Sequence, residues 1–293
     1  MPQSPDKKQK TVLITGCSDG GLGAALARAY QKAGYRVLAT ARNPSKMASL
    51  KGANIEKLTL DVVSDESISA CASEVTSLTG GTLDVLINNA GAQYNMPISD
   101  LPISEAKKIF DLNVWGCIST IQAFIPLLIK AEDGALIVNH TSAGSLAGLP
   151  FQSAYNASKA AFAMFSDILR LELEAFSIRV VDLKTGGVKS NIIPNLTSTE
   201  LPKNSIYDAA REEAGRMLSG EHLKSLKGVY MEADVWAEGV VGDLTKPKPP
   251  YQIWRGGQAW LARIGTLLPV GIFDGKLKEI TGLDAVIRKI QKV

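Results

Sequence analysis

Histidine and cysteine are scarce in this sequence, and neither has the spacing that a metal site requires. The two histidines, His140 and His222, share no ligand pattern with the three cysteines, Cys17, Cys71 and Cys117. An odd number of widely separated cysteines is typical of reduced thiols, so we expect a reducing compartment such as the cytoplasm. We interpret both histidines as ordinary structural or surface residues and expect no metal.

Long hydrophobic runs and a large charge excess are also missing. No uncharged apolar run of about 18 residues exists, which disfavours a conventional membrane-spanning helix. The polar start, MPQSPDKKQK, has no apolar segment and predicts no secretory signal. The net charge is only +3, and no basic stripe is interleaved with aromatic residues, so nucleic acid is not an expected partner.

The sequence does contain a regular alternation of short, β-rich apolar runs with helical stretches. With 293 residues, the chain can form one large α/β domain or two small ones. The alternation is typical of a sheet covered by helices. The predicted strands are Thr11–Thr15, Arg36–Thr40, Ile55–Leu60, Leu83–Ile87, Ala135–Asn139, Arg179–Leu183 and Tyr251–Trp254.

A glycine loop follows the first predicted strand. It runs from Gly16 through Ser18, Gly21 and Leu22 to Gly23, and an alanine-rich helix follows it. Glycine permits close backbone approach, and the free N–H groups of a helix N-terminus bind a pyrophosphate. Glycines occur in any tight turn, but the order of strand, loop and helix favours a dinucleotide site.

The end of the second predicted strand bears on the choice of dinucleotide. An Asp or Glu there would bind a ribose 2′-hydroxyl, but this chain has Ala41-Arg42-Asn43. Arg42 can pair with a 2′-phosphate, which favours NADPH/NADP+ over NADH; the alternative is a solvated loop arginine. Asp19 is a mild counter-argument, because it adds negative charge to the glycine loop.

Two further strand ends carry candidate cofactor contacts. Asp61, which precedes Val62, can bond an adenine amino group or cap the next helix. The turn from Asn89 to Gly91 allows the backbone to lie close to a cofactor, although Asn and Gly favour any turn.

The stretch from Val138 to Ala161 carries the candidate chemistry. If it is helical, Lys159 shares a face with Tyr155, four residues earlier, and its ammonium can lower the pKa of the phenol toward neutrality. Ser142 ends an apolar run and can donate to a carbonyl oxygen as negative charge develops. A Tyr-x-x-x-Lys pair also arises by chance, so its weight depends on the other motifs. Asn113, in a predicted helix from Ser104 to about Ile129, can hold a backbone kink or a water near Lys159.

The C-terminal third is less regular. We interpret residues 191–229 as a lid over the substrate. Lys203, Arg211 and Arg216 either meet an anionic substrate or are solvated helix charges. The apolar segment Gln258–Phe273 fits three roles: a cap over the substrate pocket, packing against a second subunit, and a membrane interface.

These motifs together resemble the short-chain dehydrogenase/reductase family, in its single-domain branch, from about Thr11 to Ser190. The resemblance implies a Rossmann-type α/β fold: a doubly wound parallel sheet of about seven strands with helices on both faces. It also implies a homodimer or homotetramer formed through the two long helices. The sequence ATARN after the second strand and the tail YQIWRGGQAWL further resemble a group of fungal reductases related to 1-acyldihydroxyacetone-phosphate reductase, although fungal secondary-metabolite reductases share much of this pattern.

Carried over by position, the resemblance implies site residues. The catalytic tetrad would be Asn113, Ser142, Tyr155 and Lys159. The cofactor contacts would be Gly16, Ser18, Gly21, Leu22, Gly23, Arg42, Asp61, Val62, Asn89, Gly91, Tyr155, Lys159, Val188 and Ser190. Two departures stand out: the glycine loop has one residue more than the family pattern, and Thr185-Gly186 replaces the usual Pro-Gly.

We therefore expect an NADPH-dependent reductase of a hydrophobic ketone. The alternatives are oxidation of a steroid-, retinoid- or polyketide-like alcohol, and a non-catalytic NADPH-binding sensor or scaffold. We expect one domain over residues 1–293, with a core at 11–190, the lid, and an apolar extension at 247–293. It would be cytoplasmic, either free or peripheral at the endoplasmic reticulum or a lipid droplet.

Overall fold

A computed structural model describes residues 9–196, 200–221 and 229–292. His222 and much of the second half of the proposed lid lie outside the described residues. The described chain forms one seven-stranded parallel sheet of order β3-β2-β1-β4-β5-β6-β7. The strands are β1 (Thr11–Ile14), β2 (Arg36–Ala41), β3 (Ile55–Thr59), β4 (Val85–Asn88), β5 (Ala135–His140), β6 (Ile178–Thr185) and β7 (Gln252–Arg255).

Helices cover both faces of the sheet, because its central strands are apolar on both sides and must be buried on both. One core lies between the sheet and the helices α1 and α7, and a second lies under α2, α4 and α5. The helices are α1 (Leu22–Lys32), α2 (Asp65–Thr79), α3 (Ile103–Phe110), α4 (Gly116–Leu128), α5 (Ser153–Glu172), α6 (Arg211–Leu218), α7 (Ala233–Leu244), α8 (Ala259–Gly265), α9 (Asp274–Thr281) and α10 (Leu283–Ile290). The predicted fold class is confirmed.

The strand order reverses between β1 and β4. In an open parallel sheet, this reversal creates a crevice at the carboxyl ends of the strands, where ligands bind. The glycine loop follows β1, the Asn89–Gly91 turn follows β4, and Ser142 follows β5. All three predicted motifs therefore meet at one edge of the sheet.

The predicted helix from Ser104 to Ile129 is interrupted. Helices α3 and α4 are joined by a π-helical turn at Asp111–Trp115, which contains Asn113. Such π turns are rare and are frequent at functional sites. The helix is therefore irregular at Asn113, where the sequence predicts a backbone kink or a water.

A third, smaller apolar cluster joins the lid to the C-terminus. Ala210, Ala214 and Leu218 of the lid pack with Phe151, which precedes α5, and with Val286 of α10. This cluster fixes the lid against the start of the helix that carries Tyr155. Among the described residues, no helix combines the length and apolarity needed to cross a membrane.

Candidate active site

Ser142, Tyr155 and Lys159 are brought to one cleft by β5 and α5. Ser142 lies two residues beyond the end of β5, and Tyr155 and Lys159 lie in the first two turns of α5. All three line a cleft of about 1390 Å³. The expected shared helical face is therefore present.

The phenol of Tyr155 is buried, and this sets its protonation. Burial raises the pKa of Tyr155 above its usual value, and the neighbouring Ser142 hydroxyl lowers it by less. The sequence predicts that Lys159 lowers this pKa. In the structure the Lys159 ammonium instead donates to the main-chain oxygen of His140 at 2.8 Å, and it is not among the causes of the Tyr155 shift. In this arrangement Tyr155 is a protonated phenol at neutral pH.

Lys159 is also buried, and it lies against Gly91. A Cβ added at Gly91 would be 3.4 Å from the Lys159 Nζ and 3.0 Å from the Asn113 Oδ1, so the turn after β4 needs glycine there. Burial lowers the pKa of Lys159, while Cys117 and Asp182 raise it by less.

Asn113 does not line the cleft but lies behind its wall, fully buried. Its Nδ2 donates to the Ala92 oxygen at 2.9 Å and to the Ser158 Oγ at 3.0 Å, and its Oδ1 accepts from the Ala92 N–H at 2.9 Å. Its side chain therefore connects the turn after β4 to α5.

A chain of side-chain hydrogen bonds crosses the carboxyl ends of four strands. Thr15 Oγ1 accepts from the Asn89 N–H at 2.9 Å, and Asn89 Nδ2 donates to the Thr15 oxygen at 2.7 Å. The Asn89 Oδ1 lies 3.0 Å from His140 Nδ1, and His140 Nε2 lies 2.7 Å from the Thr185 Oγ1. Because Asn89 donates through Nδ2, its Oδ1 must accept from His140, which places the histidine proton on Nδ1 and leaves Nε2 to accept from Thr185.

His140 and Thr185 were not among the predicted site residues. Burial, with a smaller effect of Lys159, lowers the pKa of His140 to about 3, so the ring is neutral. The ring also stacks on Trp236, with centroids 5.3 Å apart. Thr185 stands where the family usually has proline, and its hydroxyl donates the hydrogen bond that His140 Nε2 accepts. This substitution is the sequence signal that could have identified the His140–Thr185 contact.

A buried ion pair supports the segment that follows Ser142. Lys184 Nζ lies 2.5 Å from the Asp182 carboxylate, and both side chains are only 2% exposed. Lys184 also donates to the Ser145 Oγ at 3.2 Å, and the Thr141 hydroxyl donates to Asp182. The two hydroxyls flank Ser142 in the chain, so this cluster fixes the backbone on both sides of it.

The predicted cofactor residues line the same cleft, with one exception. Gly23 packs behind the loop, where an added Cβ would be 2.4 Å from the Gly16 oxygen. The predicted residues that line the cleft are Gly16, Ser18, Gly21, Leu22, Arg42, Asp61, Val62, Asn89, Gly91, Tyr155, Lys159, Val188 and Ser190. A glycine cradle that side chains would fill, next to a long cleft, fits a dinucleotide.

The adenosine end of the cleft has a second cationic side chain besides Arg42. This residue is Lys46, which lines the cleft and was not predicted. Asp61 lines the cleft too, and its Oδ1 accepts from the Val63 N–H at 3.2 Å. The N-cap of α2 is Ser64, so Asp61 does not cap that helix.

The lid cations do not reach the cleft. Arg216 pairs with Glu212, and Arg211 donates to two lid carbonyl groups and pairs with Asp208. Neither these two residues nor Lys203 line the cleft, which favours the solvated alternative. Within the described part of the lid, the residues that line it are Asn191, Ile192, Ile193, Asn195 and Val229.

The C-terminal tail forms an apolar wall of the cleft near Tyr155. The tail residues that line this wall include Leu261, Leu268, Ile272, Phe273, Leu277 and Ile280. Of the three roles considered for this segment, the structure shows a cap over the pocket.

Comparisons with known proteins agree with this geometry. Residues 10–201 match the sequence model of the family described as short chain dehydrogenase. The chain is 51% identical to the short-chain dehydrogenase/reductase GME11361 of Pestalotiopsis microspora, over 97% of this chain and 98% of that protein. It is 39% identical to the NADPH-dependent 1-acyldihydroxyacetone phosphate reductase of Schizosaccharomyces pombe, over 94% and 95%. A crystal structure of a short-chain dehydrogenase from Streptomyces avermitilis superimposes with a TM-score of 0.75 at 27% identity, over 97% of this chain and 99% of that one.

Proposed function

Because the chain belongs to the short-chain dehydrogenase/reductase family and is an oxidoreductase, we propose that it is an NADPH-dependent reductase of a hydrophobic ketone. The observation that carries this proposal is the buried Tyr155 beside Ser142, in the same cleft as the glycine loop. A phenol in this position can donate a proton to a carbonyl oxygen, and the relative named as a reductase supports the direction of reduction.

Each site residue has its own role in the proposed reaction. When bound, the nicotinamide would supply the hydride that the carbonyl carbon accepts. Tyr155 donates its phenolic proton to the carbonyl oxygen, and the Ser142 hydroxyl orients that oxygen by a hydrogen bond. Lys159 lines the same cleft, where its ammonium donates to the His140 main-chain oxygen, and it would hold the nicotinamide ribose. Asn113 holds the turn after β4 and so fixes the wall against which Lys159 lies.

The cofactor is NADP(H). Arg42 stands where a carboxylate would reject a 2′-phosphate, and the reductase of Schizosaccharomyces pombe is named as NADPH-dependent. Arg42, the glycine loop, Asp61 and the Asn89–Gly91 turn would hold it.

The substrate is a ketone attached to a hydrocarbon. The tail wall offers aliphatic and aromatic side chains, which suit an acyl chain or a polyketide-like skeleton. The name of the Schizosaccharomyces pombe relative makes an acyldihydroxyacetone phosphate the first candidate. Lys276 is the tail cation that can bind the phosphate, because it lines the cleft. In the structure it pairs with Glu279 at 2.9 Å.

The test is a substrate panel with deuterated NADPH. The purified protein is incubated with NADPH carrying deuterium on the transferable position, beside NADH, and with an acylated dihydroxyacetone phosphate and uncharged aromatic and polyketide-like ketones. We expect an alcohol that carries one deuterium at the carbinol carbon. NADPH binding, followed by fluorescence, with no turnover of any ketone in the panel would contradict a reductase and support a sensor.

We further propose that the tail contacts a membrane surface while its other side caps the cleft. Trp260, Leu267 and Val270 expose their side chains, at 63%, 83% and 106%. Arg263 is exposed among them without a carboxylate partner in the described chain. Exposed apolar side chains with a nearby cation suit a bilayer interface. This would place a cytoplasmic protein at the endoplasmic reticulum or a lipid droplet. Equal flotation of the wild type and Trp260→Ser with anionic vesicles would contradict it.

A second exposed apolar face suits a homodimer or homotetramer. Trp115 of the π turn contacts Phe165 of α5, with ring centroids 5.9 Å apart, and Met164, Ile168 and Leu171 are exposed on α5. We propose that two copies pair across this face. Light scattering should give a smaller mass for Ile168→Glu than for Val235→Glu, which changes an exposed residue of α7. Equal masses would contradict the assignment.

A further inference from the structure

Asp19, in the lengthened glycine loop, binds a neighbouring loop. The Asp19 N–H donates to the Lys46 oxygen at 2.7 Å. Its carboxylate accepts from the Ser49 N–H at 3.1 and 3.2 Å and from the Ser49 hydroxyl. Asp19 therefore contacts the segment after β2 at two points, Lys46 and Ser49.

The held segment is a short 3₁₀ turn, Pro44–Met47, that carries Lys46. Its start is fixed independently, because the Asn43 Oδ1 accepts from the Ser45 N–H at 3.0 Å. The turn is thus capped by Asn43 at its beginning and held by Asp19 at its end. A turn fixed at both ends gives the backbone of Lys46 one position at the rim of the cleft.

Lys46 and Arg42 are the two available cations among the described residues of the cleft. Four cationic side chains of the described residues line it: Arg42, Lys46, Lys159 and Lys276. Lys159 donates to His140, and Lys276 pairs with Glu279. Within the described chain, neither Arg42 nor Lys46 has a carboxylate or hydrogen-bond partner for its side chain. Two unpaired cations near the end of β2 are placed for a doubly charged phosphate.

The negative charge of Asp19 partly offsets these cations. Asp19 also lines the cleft, and the Ser49 hydroxyl is the main cause that lowers the pKa of its carboxyl group, with a smaller contribution from Lys57 of β3, so the group is ionised. Its carboxylate accepts from the Ser49 N–H and hydroxyl, and Arg42 and Lys46 outnumber this single negative charge.

We propose that Lys46 is a second ligand of the cofactor 2′-phosphate beside Arg42, and that Asp19 is the positioning residue that makes this possible. The inference rests on the proposed use of NADP(H). Asp19 is then a specificity element, which acts through hydrogen bonds to the neighbouring loop and not through contact with the phosphate.

The experiment is calorimetric titration of the full-length protein with adenosine 2′,5′-bisphosphate and with adenosine 5′-monophosphate. Lys46→Met should weaken binding of the bisphosphate about tenfold and leave the monophosphate unchanged, because one charge-assisted contact is lost. Asp19→Ala should act in the same direction by roughly three- to tenfold. Asp19→Asn should stay close to the wild type, because its Oδ1 still accepts from Ser49.

Further variants distinguish the loss of a specific phosphate contact from a general charge effect and from damage to the fold. Lys57→Met removes a lysine that does not line the cleft and should change binding by less than about twofold. Thermal unfolding of each variant identifies general damage, which would weaken both ligands alike. Unchanged or tighter bisphosphate binding in Asp19→Ala, or an Asp19→Asn variant as weak as Asp19→Ala, would overturn the positioning role. A wild type that does not prefer the bisphosphate would instead refute the proposed cofactor.

Discussion

The two walls of the cleft near Tyr155 are held in different ways. On the sheet side, His140, Lys159, Thr185 and Asn113 are buried, and each makes hydrogen bonds to residues far away in the chain. On the tail side, the wall is apolar and partly exposed, and its side-chain hydrogen bonds are local, as between Lys276 and Glu279.

This difference separates the chemistry from the choice of substrate. Buried polar groups with several partners have one low-energy arrangement, which suits the exact placement of a proton donor. An apolar wall without directional bonds accepts any hydrocarbon that fills it. We therefore expect changes on the sheet side to affect turnover or stability, and changes on the tail side to affect substrate affinity.

The largest effect is expected at the proton donor. Tyr155→Phe removes the phenolic proton and should lower kcat by about 10²–10⁴-fold, the range for general acid catalysis. The fluorescence change on NADPH binding should remain, because the glycine loop is untouched. Turnover close to that of the wild type would remove Tyr155 from its role.

The next effect concerns acid stability. Burial lowers the pKa of His140 to about 3 in the folded state, from the usual histidine value of about 6.5. Its neutral form therefore stabilises the fold above about pH 6.5, and this contribution is lost as the pH falls toward about 3. Between about pH 7.5 and pH 5, the wild type should lose roughly 2 kcal/mol more unfolding free energy than His140→Gln. Chemical denaturation at both pH values measures this, and equal losses would show that His140 titrates normally.

A smaller effect is expected on the tail wall, where two adjacent leucines form a matched pair. Leu268 lines the cleft and is 39% exposed, whereas Leu267 does not line it and is 83% exposed. Leu268→Ser should raise KM for a hydrophobic ketone about five- to tenfold, with kcat nearly unchanged, because roughly 1–1.4 kcal/mol of apolar contact is lost. Leu267→Ser should leave KM for a soluble ketone unchanged. Identical KM values for both variants would show that the wall does not contact the substrate.

The smallest effect is expected in the lid. Arg211→Ala and Arg216→Ala should change KM for an acyl phosphate by less than about twofold, because both guanidinium groups bond within the lid. Lys276→Ala is the comparison, since Lys276 lines the cleft. A large rise of KM in Arg216→Ala alone would restore the lid cations as the phosphate site.

The sequence allowed much of this arrangement to be predicted, because the informative patterns are local. Strand, glycine loop and helix follow one another in the chain, and Tyr155 and Lys159 share a face of one helix. The predicted strand bounds agree with the structure within two residues, and the largest differences are at the start of β4 and the end of β6.

Other predictions needed contacts that a local pattern does not contain. Lys46 was overlooked because its place at the cleft depends on Asp19, 27 positions earlier. Arg211 and Arg216 were candidates because their charge is visible in the sequence, whereas their local partners became clear only in the structure.

The sequence by itself determined the family, the doubly wound sheet and the residue types of the acid–base site, since these follow from hydrophobic period, turn chemistry and short spacings. Only the tertiary structure decided that Asn113 lies behind the wall, that His140 joins Asn89 to Thr185, and that the tail closes the cleft. The physical reason is that burial and hydrogen bonding between distant segments set the protonation and position of a side chain, and neither is encoded in the residue's own neighbourhood along the chain.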